Sequence, residues 1–201
     1  MISIILPVFN QDKIIETAVN RINALPVEKE IIVVNDCSLD NTAAVLRGIV
    51  LNNLKVIHHV SCRGKAAAIR TGMENASGEL VILQNGNLNC NPSDYLKLLE
   101  AFNNSGADMV LGARFSKMSQ GILVPKTKSY FLTYFLNFLF GVRLHDWFTH
   151  CQLIRRESFL GIVSGLKSAD TLFEILTKAI QKKMRIIEVP ISYGQENTCH
   201  S

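Results

Sequence analysis

The sequence predicts an α/β fold of three layers, with a mostly parallel central sheet between helices. Two observations carry this. Short apolar runs, too short for helices, alternate along the 201 residues with segments whose apolar residues recur every three or four positions. The links between them are polar or hold Gly and Pro, so each run is a buried strand and each periodic segment a covering helix. Strands separated by helices build right-handed βαβ units. At 48% hydrophobic and 19% charged, residues 1–201 suffice for one domain with a real core.

In order, Ile2 to Leu6 is the first strand, broken by Pro7. Ile14, Ile15, Ala18, Val19, Ile22 and Leu25 mark one face of a helix that stops before Pro26. Ile31 to Val34 is the second strand. Asp40 caps the next helix, whose inner face holds Ala44, Val45, Leu46 and Ile49. Leu54 to Ile57 is the third strand. Gly64 to Ala76 is a helix of small residues closed by Ser77-Gly78. Glu79 to Leu83 is a fourth strand. Asn91 then serves as N-cap and Pro92 as first-turn residue for a helix bearing Leu96, Leu98, Leu99 and Phe102. Asp108 to Leu111 is the fifth strand.

The second half is less regular. Ser116 to Lys128 reads as a polar loop. Ser129 to Phe140 is an aromatic-rich helix too short to span a bilayer, which takes about 20 apolar residues. Two readings stand for it: a core helix, or a surface helix in peripheral contact with a membrane. A strand (Cys151 to Ile154), a helix (Asp170 to Lys182) and a last strand (Arg185 to Val189, stopped by Pro190) follow.

Composition narrows function. A net charge of +4 without a Lys/Arg block argues against a nucleic-acid partner. Five widely spaced cysteines (37, 62, 90, 151, 199) with no CxxC pair predict reduced, structural thiols in a cytoplasmic protein. Met1-Ile2-Ser3 runs straight into a strand with no basic segment, so no signal peptide is expected. Neither a dinucleotide fingerprint nor a Walker loop is present, which sets aside dehydrogenase and kinase readings.

Polar residues gather where strands should end, the place where open α/β sheets bind ligands. Asp36 and Ser38 offer a carboxylate and a hydroxyl suited to a base or ribose. The alternative for Asp36 is a helix cap. Phe9 suits stacking on a flat base and Asn10 reading of its edge. Arg63, Lys65 and Arg70 put cations at and along a helix start, where a diphosphate is held well; a solvated basic face is the other reading of Arg70.

Five spaced pieces resemble glycosyltransferase family 2. Pro7-Val8-Phe9-Asn10 is similar to its Pro-x-Tyr-Asn opening, and Asn35-Asp36-Cys37-Ser38-Leu39-Asp40-Asn41-Thr42 to its Asp-Asp-Gly-Ser-x-Asp-x-Thr. Arg63 to Gly72 is similar to its Gly-Lys-Gly-x-Ala-x-Arg-x-Gly segment. Gly112-Ala113-Arg114-Phe115 and Glu188 to Tyr193 resemble signatures of the branch that makes polyprenyl-phosphate sugars. The resemblance implies a GT-A, Rossmann-like fold with a nucleotide-binding half (1–115) and an acceptor half (116–201). It implies a nucleotide diphosphate sugar as donor and a lipid phosphate as acceptor. Pro7, Phe9, Asn10, Gln11, Asn35, Asp36, Ser38, Arg63, Lys65, Asn85, Gly86, Asn87, Arg114 and Gln152 become candidate substrate contacts. Asp146 becomes the candidate catalytic residue, orienting the acceptor.

The chain departs from the family at its metal motif. Asn85-Gly86-Asn87 stands where the family has Asp-x-Asp, so the Mg²⁺ or Mn²⁺ that the family implies would meet amides without charge. Gln11, Asn35 and Gln152 replace further charged residues, and the family's basic tail is missing from residues 193–201. Two classes of function remain: an active sugar transferase, and an impaired homologue that binds a nucleotide or partner without turnover.

Overall fold

The computed structural model describes residues 1–84, 90–114, 127–166 and 171–192. The strands are β1 (Ile2–Val8), β2 (Lys29–Asn35), β3 (Leu54–His58), β4 (Leu80–Gln84), β5 (Met109–Ala113), β6 (Cys151–Arg155) and β7 (Ile186–Pro190). The helices are α1 (Ile15–Asn23), α2 (Thr42–Gly48), α3 (Lys65–Glu74), α4 (Asp94–Ser105), α5 (Thr127–Phe140), α6 (Arg156–Val163) and α7 (Thr171–Gln181). The predicted loop over 116–128 lies outside the described residues except for its last two positions, which already belong to α5.

The strands form one sheet in the order β3-β2-β1-β4-β6-β5-β7. β1 pairs in parallel with β2 and β4, β2 with β3, and β5 with β7. β6 runs antiparallel between β4 and β5. The expected three layers and mostly parallel sheet are therefore present. Alternation along each strand divides the core. Ile4, Leu6, Ile31, Val33 and Ile82 meet α1, α2 and α4 on one face. Ile5, Ile32, Val34, Val81 and Leu83 meet α3, α5, α6 and α7 on the other.

Local departures have simple causes. Ala44 faces solvent while Leu46 and Thr42 are buried, because α2 ends at Gly48 and turns only one narrow stripe inward. In α4, Tyr95 takes the core position and Leu96 is exposed. The α4 helix starts at Asp94, later than Asn91-Pro92 suggests; the Asn91 side chain instead accepts the Ser93 amide at 3.2 Å. Helix α6 was not foreseen, since it follows β6 with no breaker between them.

Over 132–140, where the α5 side chains are described, most of the helix lies at the surface. Leu136 is buried and Phe140 packs on Trp147 with ring centroids 5.3 Å apart, but Leu132, Tyr134, Phe135, Phe138 and Leu139 are exposed. The core reading fails because one anchored edge, Leu136 to Phe140, suffices to hold the helix. Asn137 fixes that edge, its Oδ1 accepting Trp147 Nε1 at 2.8 Å and the Leu144 amide at 3.0 Å. Among the described residues no helix is long and apolar enough to cross a membrane.

Candidate functional site

Register brings the candidate residues to one edge of the sheet. Val8 pairs with Asn35 and Ile5 with Leu83, so Pro7, Asn35 and Gln84 end their strands side by side. Because β6 is antiparallel, it begins where its neighbours end, with Cys151 opposite Gln84. The loop before it, carrying Asp146, therefore reaches the same edge. Asn85, Gly86 and Asn87 lie outside the described residues, between Gln84 and Cys90.

The loops after β1 and β2 are stitched together. The Asn10 amide donates to Ser38 Oγ at 3.0 Å, and Asn10 Oδ1 accepts the Leu39 amide at 2.9 Å. The Gln11 amide donates to Thr42 Oγ1 at 2.8 Å and the Asp12 amide to Asp40 Oδ2 at 3.1 Å. Asp40 also accepts the amide of Thr42, the first residue of α2, at 2.9 Å, although the N-cap position falls on Asn41 rather than on Asp40 as predicted. Asn35, 2% exposed, turns inward: its Oδ1 accepts the Ser38 amide at 3.1 Å and its amide nitrogen lies 3.1 Å from His58 Nδ1. Phe9 is 47% exposed above these loops, a flat surface left open.

Asp36 joins this pair of loops to α3. Its Oδ1 accepts the Arg63 amide at 2.9 Å and lies 2.7 Å from His59 Nδ1; its Oδ2 accepts the Gly64 amide at 2.7 Å. His59 Nε2 sits 3.0 Å from Thr71 Oγ1 on α3. Burial pushes the Asp36 carboxyl up, but the Arg63 amide, His59 and the Gly64 amide together bring it below the ordinary carboxylate range. Asp36 thus caps the segment leading into α3 rather than α2. Lys65 is the first residue of α3, and the Arg63 side chain is exposed beside it. Gly72 lets α3 lie against the sheet, since a Cβ there would collide with the Ile5 side chain.

A second cluster surrounds Asp146, which is 2% exposed. Arg114 Nε donates to Asp146 Oδ2 at 2.7 Å and its Nη2 to Oδ1 at 2.8 Å. Glu188 on β7 accepts the amides of Asp146 at 2.9 Å and His145 at 2.8 Å, which fixes the backbone beneath the carboxylate. Gln152 sits apart from both clusters, wholly buried beside α7, with Nε2 3.4 Å from the Leu172 carbonyl and Oε1 without a partner among the described residues. Gln84 is 2% exposed, directly before Asn85, and neither polar atom of its side-chain amide has a partner among the described residues.

Sequence reasoning missed His59 and Glu188 as members of this edge. The signal for Glu188 was its place in the Glu-Val-Pro piece. His59 gave none, because its partners Asp36 and Thr71 are distant in sequence. The cysteine expectation is corrected as well. Cys37 and Cys62 form a disulfide, their Cα atoms 5.0 Å apart, while Cys90 and Cys151 are free and buried. A separation of 25 residues gave no hint of pairing, which arises only when the loops after β2 and β3 meet. Cys199 lies outside the described residues, as does the tail from 193.

At the Asp-x-Asp position Asn85 and Asn87 bring carbonyl oxygens and no formal charge. Among the described residues no three His, Cys, Asp or Glu side chains converge on a metal position.

Residues 3–162 match the family described as glycosyl transferase family 2. Dodecaprenyl-phosphate galacturonate synthase from Rhizobium johnstonii is 26% identical over 200 residues, covering 96% of this chain and 58% of that protein. Dolichol-phosphate mannosyltransferase from Pyrococcus furiosus is 27% identical over 215 residues, covering 96% and 56%. The chain thus spans a little over half the length of these two relatives. Among solved structures, a mannosyltransferase from Pyrobaculum calidifontis in complex with GDP-Man and Mn²⁺ superposes with a TM-score of 0.70 at 18% identity, over 98% of this chain and 58% of that one. Glucosyl-3-phosphoglycerate synthase from Mycobacterium tuberculosis superposes with a TM-score of 0.72 at 17% identity, over 98% and 72%. These likenesses show a shared GT-A fold. The family match extends through the stitched loops, Asp36, α3, Arg114 and Asp146, and the chain belongs to glycosyl transferase family 2.

Proposed function

We propose that the chain handles a nucleotide diphosphate sugar in a transferase whose acceptor is a lipid phosphate of the polyprenyl class. The observation that carries this is the grip of Asp36 on the Arg63 and Gly64 amides, which sets Lys65 and the start of α3 beside the β1 and β2 loops. In this reading Phe9 lies against the base. The α3 N-terminus, Lys65 and Arg63 hold the diphosphate. Asp146, kept in place by Arg114 and Glu188, orients the acceptor. A lipid phosphate is already an anion, so positioning and charge neutralisation carry the transfer without a strong general base. The acceptor class follows the relatives, which act on dodecaprenyl and dolichol phosphates by name. The exposed apolar residues of α5 suit the membrane surface where such an acceptor resides.

A second reading, an impaired homologue that binds without turnover, draws on two observations. Asn85 and Asn87 bring no charge, and Arg114 is already paired to Asp146, which leaves it little charge to lend a leaving diphosphate.

Calorimetric titration with UDP-sugars and GDP-sugars, with and without Mn²⁺, tests the common part. Binding of one class is expected, weakened by about 1–3 kcal/mol in Asp36→Ala and in Lys65→Ala. No heat with any nucleotide sugar would reject the reading. Transfer of labelled sugar to polyprenyl phosphate in vesicles separates the active form from the impaired one.

A further inference from the structure

Each of the two loops that Asp36 joins carries a cysteine. Cys37 directly follows Asp36 with φ +54, a left-handed backbone, and Cys62 directly precedes Arg63. Their Cα separation of 5.0 Å lies within the ordinary disulfide range. Cys62 is exposed and Cys37 half-buried, so a small thiol can reach the bond from solvent. The other two described cysteines are buried free thiols.

The covalent link repeats a job already done one residue away. Asp36 ties the same loops through Arg63, Gly64 and His59 at 2.9, 2.7 and 2.7 Å. Opening the disulfide therefore leaves the two loops joined at Asp36 and frees only the segment around Cys62. Arg63 and Lys65, cations next to Cys62 at a helix start, favour the thiolate that appears when the bond opens.

We propose that Cys37 and Cys62 are a thiol–disulfide exchange site, opened by a low-molecular-weight thiol, that clasps the cleft in its binding-competent shape. The thiolate of the small thiol attacks the exposed sulfur of Cys62 and breaks the S–S bond. Cys37 leaves as a thiolate and takes up a proton. A second small thiolate attacks the mixed disulfide, releasing Cys62 and the oxidised small disulfide. Two electrons pass from two small thiols to the protein, and the reverse sequence closes the pair. Closed, the clasp fixes the segment at 62–65 against the end of β2. Open, the rim must be ordered again at each binding event.

The effect on ligand rests on the cleft being a nucleotide-sugar site; the clasp itself does not. The protein is equilibrated in mixtures of reduced and oxidised glutathione, and its state is read by alkylation and intact mass. Amide hydrogen exchange over 37–40 and 60–66 and titration with the preferred nucleotide sugar follow. Reduction is expected to speed exchange in both segments and to weaken nucleotide affinity about fivefold. Cys62→Ser should match the reduced protein in every mixture. A pair that never closes, exchange that ignores the redox state, or a Cys62→Ser protein that still responds to glutathione would overturn the clasp. Equal affinity in both states would overturn its control of binding. A protein that binds no nucleotide sugar in either state overturns the reading of the cleft, and redox-dependent amide exchange in that protein still upholds the clasp.

Discussion

Arg114 grips Asp146 with two parallel hydrogen bonds, Nε to Oδ2 at 2.7 Å and Nη2 to Oδ1 at 2.8 Å, where the carboxylate side chain is 1% exposed. A buried carboxylate that loses this fork keeps, among the described residues, the backbone amides of residues 114 and 148 and is left charged in a poor solvent. Arg114→Ala should therefore cost about 3–5 kcal/mol in urea unfolding, and Arg114→Lys less, since it keeps the charge and loses the fork. A loss below about 1 kcal/mol in Arg114→Ala would show that Glu188 and the backbone already hold Asp146 in place.

Acid should loosen the Asp36 junction. Its folded carboxyl gives up its proton more readily than the unfolded one, so the unfolded chain binds more protons as pH falls below about 4. The stabilisation is complete above the ordinary carboxylate range and disappears as pH drops through the lower folded value. Glu30, gripped by Ser3, Ser77 and the Gly78 amide, shifts in the same direction. Denaturation midpoints measured from pH 6 to pH 2 should fall less steeply for Asp36→Asn than for the natural chain. Parallel curves would remove Asp36 from the acid response.

Gly72→Ala should cost about 1–3 kcal/mol, because the new methyl group meets the Ile5 side chain where α3 rests on β1. In an Ile5→Ala background the same change should cost far less. Additive losses in that double-mutant cycle would place the strain elsewhere on α3.

The exposed face of α5 makes a membrane prediction. Tyr134, Phe135, Phe138 and Leu139 are all more than half exposed. The protein should sediment with anionic lipid vesicles, and Tyr134→Ser with Phe138→Ser should reduce the bound fraction several-fold with no change in unfolding midpoint. Equal sedimentation would take this face out of membrane contact.

Restoring the two acids should create a metal response. Asn85→Asp with Asn87→Asp returns two charges to one small site, so Mn²⁺ affinity should rise steeply from a weak starting value. Tight Mn²⁺ binding by the natural chain would mean that other ligands serve. A double mutant that binds metal yet transfers no sugar would point to the acceptor half.

The sequence by itself determined the layer architecture and which polar residues stand at the strand ends. Those features are local: apolar runs of strand length, helical periodicity, and polar hinges between them. Even the tie of Asp40 to the start of α2 was legible, because its partner Thr42 is two residues away. The tertiary structure decided everything that joins distant segments. Asp36 chose the amides of Arg63 and Gly64, and Cys37 chose Cys62, because β3 lies beside β2 and returns the chain to the same edge. Asp146 and Arg114 were both picked from the sequence for separate tasks, and only the antiparallel insertion of β6 brought them into one ion pair. Periodicity reports which face of an element is buried; which partner waits on that face depends on strand order and direction, fixed by packing of the whole sheet.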